Sequence, residues 1–457
     1  MRVLVATVPL QGHTGPLLPL VRELVVRGHD VRWLTAAAHR PLVEEAGARH
    51  LPLTGGQEEA AAAWLRRAPG RWSPQVLRLA ADLEHLFVRT VPAWVADLEA
   101  AASSGPVDVV VGDVGLAEAL RAAHERGGAP FVTVGVSPLL LHDGETAPYG
   151  LGLPPPRGRL GRAHVLALEA VVHRGVMRRA VRALAEERRG LGLPEHTAGV
   201  QLGPVSPFLH LQSGVPSLEY PRRALPETLR FLGHLAAPVP PGLRRDRPPW
   251  EAEVAAAHGA GRPVVLVTQG TVATDPGQLL RPAGRGLTGN GYLVVVGTGV
   301  AGRTTLPFAL PVGAGRDDDV RVGGFLPVPD LLPHVDVVVT NGGYGGVQAA
   351  LAAGVPLVVA GRSEDKAEVA ARVAWAGAGI DLRTQTPSAR QVARAVARVL
   401  DDPRYRGRAR ALAAEYAGLD APVRGAGLLE ELVDGAAPRA PVQARRRRRR
   451  DRVRQPW

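Results

Sequence analysis

The stretch Val335–Arg362 constrains this chain most. It reads VDVVVTNGGYGGVQAALAAGVPLVVAGR. Val335 to Thr340 is a short, β-branched apolar run, which predicts a buried strand. NGGYGG follows at once, then VQAALAA, a helix-forming run that Gly354 ends. VPLVVAG starts a further strand. Strand, glycine turn, helix, strand is one βαβ unit, and such units build parallel sheets covered by helices. Gly342, Gly343, Gly345 and Gly346 let the backbone come close to a ligand. The helix behind them aims unpaired N–H groups and partial positive charge at the turn, which suits a phosphate. A tight turn that binds nothing is the plainer reading, but four glycines in five positions exceed what a turn needs.

The same grammar recurs along the chain. Arg2–Val8 reads as a buried strand, followed by the loop PLQGHTGP, a helix over Leu17–Arg27 and a strand over Val31–Thr35. Val107–Gly112 is another strand, with Asp113 at its carboxyl end, then a helix over Leu116–Arg126 and a strand over Pro130–Val134. Residues 55–102 and Arg162–Gly190 read as helical, Pro138–Gly161 as a long loop, and 194–235 as irregular around one strand at Phe208–Gln212. Ala236–Trp250 carries five prolines, the mark of a stiff spacer. Beyond it, strands at Pro263–Gln269 and Tyr292–Gly297 lead into the glycine-turn unit. A last helical stretch covers Arg406–Val433.

A chain of 457 residues exceeds one hydrophobic core. The pattern predicts an α/β protein of two Rossmann-like, doubly wound parallel-sheet domains. Residues 1–235 form the first and 236–260 a Pro-rich linker. Residues 261–434, with the C-terminal helix, form the second, and 435–457 an Arg-rich disordered tail. The net charge of +12 is concentrated in that tail, where Arg445–Arg450 are consecutive and Arg452 and Arg454 follow. No aromatic or folded partner accompanies the run, so nucleic acid is not an expected partner.

There are no cysteines, and no HExxH or Cys/His cluster. No metal or resident cofactor is therefore expected. The first loop is not GxGxxG and no acidic residue closes the second strand, which argues against a dinucleotide. No apolar run is long enough to cross a membrane, and no basic, apolar leader opens the sequence, so a cytoplasmic protein is expected. Oligomeric state is not readable.

His13 follows the first strand and is a candidate general base, its pKa lying near working pH. A loop histidine alone is more often a capping or surface residue. Asp113 ends another strand of the same sheet, placing a carboxylate where it can hold the imidazole tautomer. In TQGT, Gly270 and Thr271 follow a strand and offer a second phosphate turn beside NGGYGG. Asp365 and Lys366 open a helix after the next strand. They either face ligand hydroxyls or belong to a helix start capped by Ser363, with Glu364 and Asp365 in its first turn.

Assembled, these residues resemble the family 1 glycosyltransferases of GT-B fold, most nearly the bacterial macrolide glycosyltransferase type. The likeness covers about residues 1–434. GHTGP resembles the family's G-H-x-x-P, which implies a catalytic base at His13, and VVVGD implies its partner at Asp113. TQGT resembles the family's phosphate turn at Gly270 and Thr271. FLPVPDLLPHVDVVVTNGGYGG resembles the nucleotide-binding signature, which implies donor contacts at Asn341, Gly342, Gly343, Gly345 and Gly346. EDKAEVAARV resembles D-Q-x-x-N-A, at Asp365 and Lys366. The resemblance also implies that Phe325 covers the nucleotide base and that the Leu326 backbone pairs with its edge. The implied function is an inverting, metal-independent O-glycosyltransferase. It would carry a sugar from a UDP- or dTDP-linked donor to a hydroxyl of a small, mostly apolar acceptor such as a natural product.

The chain departs from the family at the donor grip. Asn341 stands in place of His, Gly346 of Ser or Thr, Ala349 of Glu, Lys366 of Gln and Val369 of Asn. The Lys366 cation suggests an unusual or carboxylated sugar. The same departures leave room for a catalytically impaired nucleotide-sugar-binding or helper protein on this fold.

Overall fold

The computed structural model describes residues 1–66, 75–141, 144–195, 206–237, 248–270, 275–300, 302–310 and 319–435. Thr271, the prolines at 69, 74, 238, 240 and 241, and the arginine tail lie outside them.

The first half forms a seven-stranded parallel sheet. Its strands are β1 (Arg2–Ala6), β2 (Asp30–Leu34), β3 (Arg49–Leu51), β4 (Val109–Asp113), β5 (Phe131–Gly135), β6 (Leu209–Ser213) and β7 (Leu229–Gly233). They lie in the order β3-β2-β1-β4-β5-β6-β7. The second half forms a six-stranded parallel sheet from β8 (Val264–Thr268), β9 (Leu293–Gly297), β10 (Val320–Gly323), β11 (Val337–Thr340), β12 (Leu357–Val359) and β13 (Gly379–Asp381). Their order is β10-β9-β8-β11-β12-β13. In both sheets the strand order reverses at the first strand, and ligands bind beyond the carboxyl ends of strands at such a reversal.

Continuous apolar strands are what a sheet covered on both faces requires. Val3 and Val5 enter the core on one face of the first sheet, while Leu4 and Ala6 enter the core on the other. Val264 and Leu266 likewise face away from Val265 and Val267. Register follows: Val3 lies between Val31 and Val109, and Val339 between Val267 and Val358.

β3, β7 and β13 escape the sequence pattern. Each is an edge strand, covered by one neighbour, and needs fewer apolar residues; β3 and β13 have three residues each. The Pro-rich spacer is also shorter than residues 236–260 suggest. Glu251–Gly259 is a helix, and its Val254 is buried in the core of the second half. The last helix, Ala421–Asp434, crosses back instead of staying with the second half. Its Ala426 and Leu429 are buried in the core of the first sheet, and Glu430 pairs with Arg27 and His29 there. Among the described residues, no helix is long and apolar enough to cross a membrane.

Candidate active site

The carboxyl end of β1 runs into a short helix, Gln11–Thr14, that carries His13. The carboxyl end of β4 is Asp113, which has no exposed surface. The two meet at the reversal point of the first sheet: His13 Nδ1 lies 2.9 Å from Asp113 Oδ1. Backbone N–H groups fix the carboxylate further, Gly115 donating to Oδ1 at 2.8 Å and Val8 to Oδ2 at 2.7 Å. With Nδ1 donating to Asp113, Nε2 is the nitrogen that can accept a proton. Burial lowers the pKa of His13, but the charge and hydrogen bond of Asp113, with the charge of Asp365, outweigh it and hold the group above its ordinary value. Phe87 flanks the imidazole with ring centres 6.3 Å apart.

The second sheet presents its own reversal point. Asn341 and Gly342 follow the carboxyl end of β11. Gly342 has φ +90°, and a Cβ there would lie 2.8 Å from a methyl of Val359, so this position takes glycine for both reasons. The helix Tyr344–Ala352 begins after Gly343, with no side chain capping its first turn. Added Cβ atoms at Gly343, Gly345 and Gly346 would meet nothing within 4 Å. The first-turn N–H groups have no intrahelical acceptor, so the turn is an open anion cradle. Gly270, φ +74°, lies beside it. Asn341 Nδ2 donates to the Gln269 carbonyl, so this side chain braces one turn against the other. From the first half, His234 reaches the Gly345 backbone; burial pushes it down to about 4.

Asp365 and Lys366 open the helix Lys366–Trp375. The Ser363 cap does not form: the Ser363 hydroxyl donates to Glu364, and Asp365 is the N-cap residue with no side-chain cap bond. Burial pushes Asp365 up to about 6, against the opposing effects of its own backbone hydrogen bond and of His13. The mutual charge effects of His13 and Asp365 place the imidazole and the head of this helix in one neighbourhood. The Lys366 ammonium is buried, paired with Glu364 and 3.3 Å from the Ser363 hydroxyl. Its charge is therefore compensated within the protein. Leu326 packs over Gly297 and Gly323, and Phe325 is half-buried next to it.

The sequence did not reveal what joins the halves. Glu368 and Arg372, one turn apart, are buried, and so is Glu219 of the first half. Arg372 Nε donates to Glu219 at 2.6 Å and its NH1 to Glu368 at 2.8 Å, and its guanidinium stacks 4.4 Å from the centre of the Tyr220 ring. The spacing of Glu368 and Arg372 was visible as an i,i+4 pair, which on a helix ordinarily means a solvated salt bridge. Tyr344 of the glycine-turn helix also donates to the Ser213 carbonyl across the interface. Beside this network lies a cavity walled by Leu79, Leu139, Leu141, Tyr149, Met177 and Tyr220.

The chain is 42% identical over 435 residues to the 4'-demethylrebeccamycin synthase of Lentzea aerocolonigenes, covering 94% of this chain and 99% of that protein. The chain belongs to the family 1 glycosyltransferases. The transferase is also 34% identical to UDP-glycosyltransferase 2 of Phaeomoniella chlamydospora, covering 92% of this chain and 93% of that one. Its residues 312–432 match the family described as erythromycin biosynthesis protein CIII-like, C-terminal domain. Among solved structures, the glycotransferase of kitacinnamycin superposes with a TM-score of 0.71 at 22% identity, over 94% of this chain and 99% of that one. Glycosyltransferase VinC, in complex with dTDP, superposes at 0.65 and 20% identity, over 95% and 100%. The transferase has the GT-B fold, and it is an enzyme of sugar transfer.

Proposed function

We propose that the transferase is an inverting, metal-independent O-glycosyltransferase working in the cytoplasm. In this reading it moves a sugar from a UDP- or dTDP-linked donor to a hydroxyl of a small, mostly apolar acceptor. The observation that carries it is the His13–Asp113 pair, set at one sheet's reversal point, with the uncapped glycine turn at the other's. His13 Nε2 takes the acceptor proton as the acceptor oxygen attacks the anomeric carbon opposite the diphosphate. The C–O bond to the diphosphate breaks, and its electron pair leaves with the phosphate oxygen. Asp113 stabilises the imidazolium. The N–H groups at the head of helix Tyr344–Ala352 meet the charge developing on the leaving group, which preorganised donors stabilise without reorganising. The relatives named as UDP-glycosyltransferases and the dTDP complex of VinC support both nucleotide classes.

The test is calorimetry with UDP, dTDP and their glucose conjugates, with EDTA present throughout. The expected result is saturable binding of one nucleotide class, undiminished by the chelator, followed by transfer to hydroxylated aromatic acceptors. Absence of binding in EDTA, restored by Mg²⁺, would overturn the metal-independent reading. Donor binding without transfer to any acceptor would move the reading to a helper protein.

A further inference from the structure

The helix Lys366–Trp375 contacts the opposite domain along one face. Its head carries Asp365 and Lys366, beside the base. One turn on, Glu368 Oε1 accepts the backbone N–H groups of both Gly150 and Gly152, at 2.9 and 2.8 Å. A further turn on, Arg372 binds Glu219 and reaches the Leu139 carbonyl at 3.4 Å. Glu219 in turn accepts from the Leu139 N–H at 2.8 Å. Leu139 and Tyr149 line the cavity of the first half, and so do Glu368 and Arg372. Gly152 lies so close that a Cβ would stand 2.6 Å from the Ala367 carbonyl oxygen, and its φ is +60°. Arg362, just before the helix, reaches the Leu151 carbonyl at 3.4 Å.

A buried carboxylate is costly unless each oxygen is satisfied. Glu368 meets that condition only with the loop seated: one oxygen takes two loop N–H groups, the other takes Arg372. We propose that the largely apolar cavity walled by Leu79, Leu139, Leu141, Tyr149, Met177 and Tyr220 takes the acceptor, and that Glu368 is a positioning residue that shapes this acceptor pocket from the donor side, by holding the 144–152 loop against the helix that bears Asp365 and Lys366. The role rests on the glycosyltransferase reading for its substrate but not for its mechanics. It makes the acceptor wall a part of the donor domain, so the acceptor pocket takes its shape only when the two halves are docked.

Two variants of the full chain separate the role from a general loss of stability. Glu368→Gln keeps an oxygen for both glycine N–H groups. Glu368→Asp keeps the charge for Arg372 but is one methylene too short to reach the loop. Hydrogen–deuterium exchange is read by mass spectrometry on peptides covering 144–157 and, as a control, β11. Glu368→Asp should accelerate exchange in the loop peptide by about tenfold or more, the loss of a hydrogen bond to a charged group. Glu368→Gln should leave it near the parent, and β11 should be unchanged in both. The reverse order of the two variants, an unchanged loop in Glu368→Asp, or parallel acceleration of the loop and β11 would overturn the proposal. Where transfer is measurable, Glu368→Asp should raise the acceptor KM and leave the donor KM unchanged; a rise in donor KM alone would also overturn it. A parent that transfers no sugar would count against the function, while the exchange data would still decide the role of Glu368.

Discussion

His13 Nδ1 and Asp113 Oδ1 stand 2.9 Å apart, and both Asp113 oxygens also accept backbone N–H groups. The carboxylate is thus held in place before any substrate arrives, and it raises the pKa of the imidazole. Burial alone would lower the pKa of His13; Asp113 and Asp365 raise it above 6.5. A base must be neutral to act, so kcat/KM in the parent should fall as pH drops, with its acid limb above 6.5. His13→Ala should cost on the order of 100- to 10,000-fold in kcat. Asp113→Asn removes the charge and lets burial win, so the acid limb should move below that of the parent while kcat falls. A pH–rate profile for each protein checks this, and a limb that stays in place in Asp113→Asn would reject the pairing.

Asp365 gives a stability prediction of opposite sense to the usual carboxylate. Its folded pKa is about 6, above the ordinary 3.8, because burial disfavours the charged form. As pH rises from 4 to 6 the unfolded chain releases this proton before the folded one does, so stability is lost over that window. The loss stays in full above it, about 3 kcal/mol at most. Asp365→Asn should therefore raise Tm at pH 8 and leave it nearly unchanged at pH 4. It should also weaken donor use, the trade-off expected of a strained functional group. Thermal melts across pH decide it; an equal Tm at pH 8 would show that Asp365 is not buried as a charge.

Much of this architecture could be read from the chain because the central strands are buried on both faces and so carry unbroken β-branched runs, as in Val337–Thr340 and residues 109–111. The His13–Asp113 meeting was legible for the same reason: both follow central strands that end at one reversal point. Edge strands were not, since a three-residue strand such as Gly379–Asp381 leaves no periodicity. Nor was the crossing of Ala421–Asp434, because an amphipathic helix does not name the sheet it covers. Glu219, Glu368 and Arg372 were hidden most deeply. In sequence they look like ordinary surface charges, and their burial is a property of two halves meeting. At the glycine turn, the resemblance implies a donor contact at Asn341, and the structure adds that its amide also ties the turn to Gln269.

Arg372 offers a sharp test of geometry against charge. Its guanidinium serves Glu219 and Glu368 on separate nitrogens and stacks on Tyr220. A lysine carries the charge but neither the fork nor the flat face. Arg372→Lys should therefore lose much of what Arg372→Ala loses, about 3–5 kcal/mol for a buried pair broken on one side. Denaturant unfolding measures both, and a lysine variant as stable as the parent would show that charge alone holds the interface. Arg372→Met with Glu219→Gln, which removes charge from both sides, should recover part of the loss.

Lys366 and Glu364 form an ion pair. The ammonium is buried beside the Glu364 carboxylate, and burial holds its pKa down at about 8. Glu364 makes this contact from a left-handed backbone, φ +48°, a conformation that side chains other than glycine adopt at a cost. In the proposed donor site this pair carries compensated charge, so the parent should use UDP-glucuronate no better than UDP-glucose, or the dTDP sugars in the same order. Glu364→Gln uncovers the cation. The ratio of kcat/KM for the carboxylated over the neutral sugar should then rise by about tenfold, the scale of one charge-assisted hydrogen bond. Lys366→Gln in the same background should abolish that rise. A parent that already prefers the carboxylated donor would show that Glu364 leaves Lys366 when substrate binds, and an unchanged ratio in Glu364→Gln would place the sugar away from this pair.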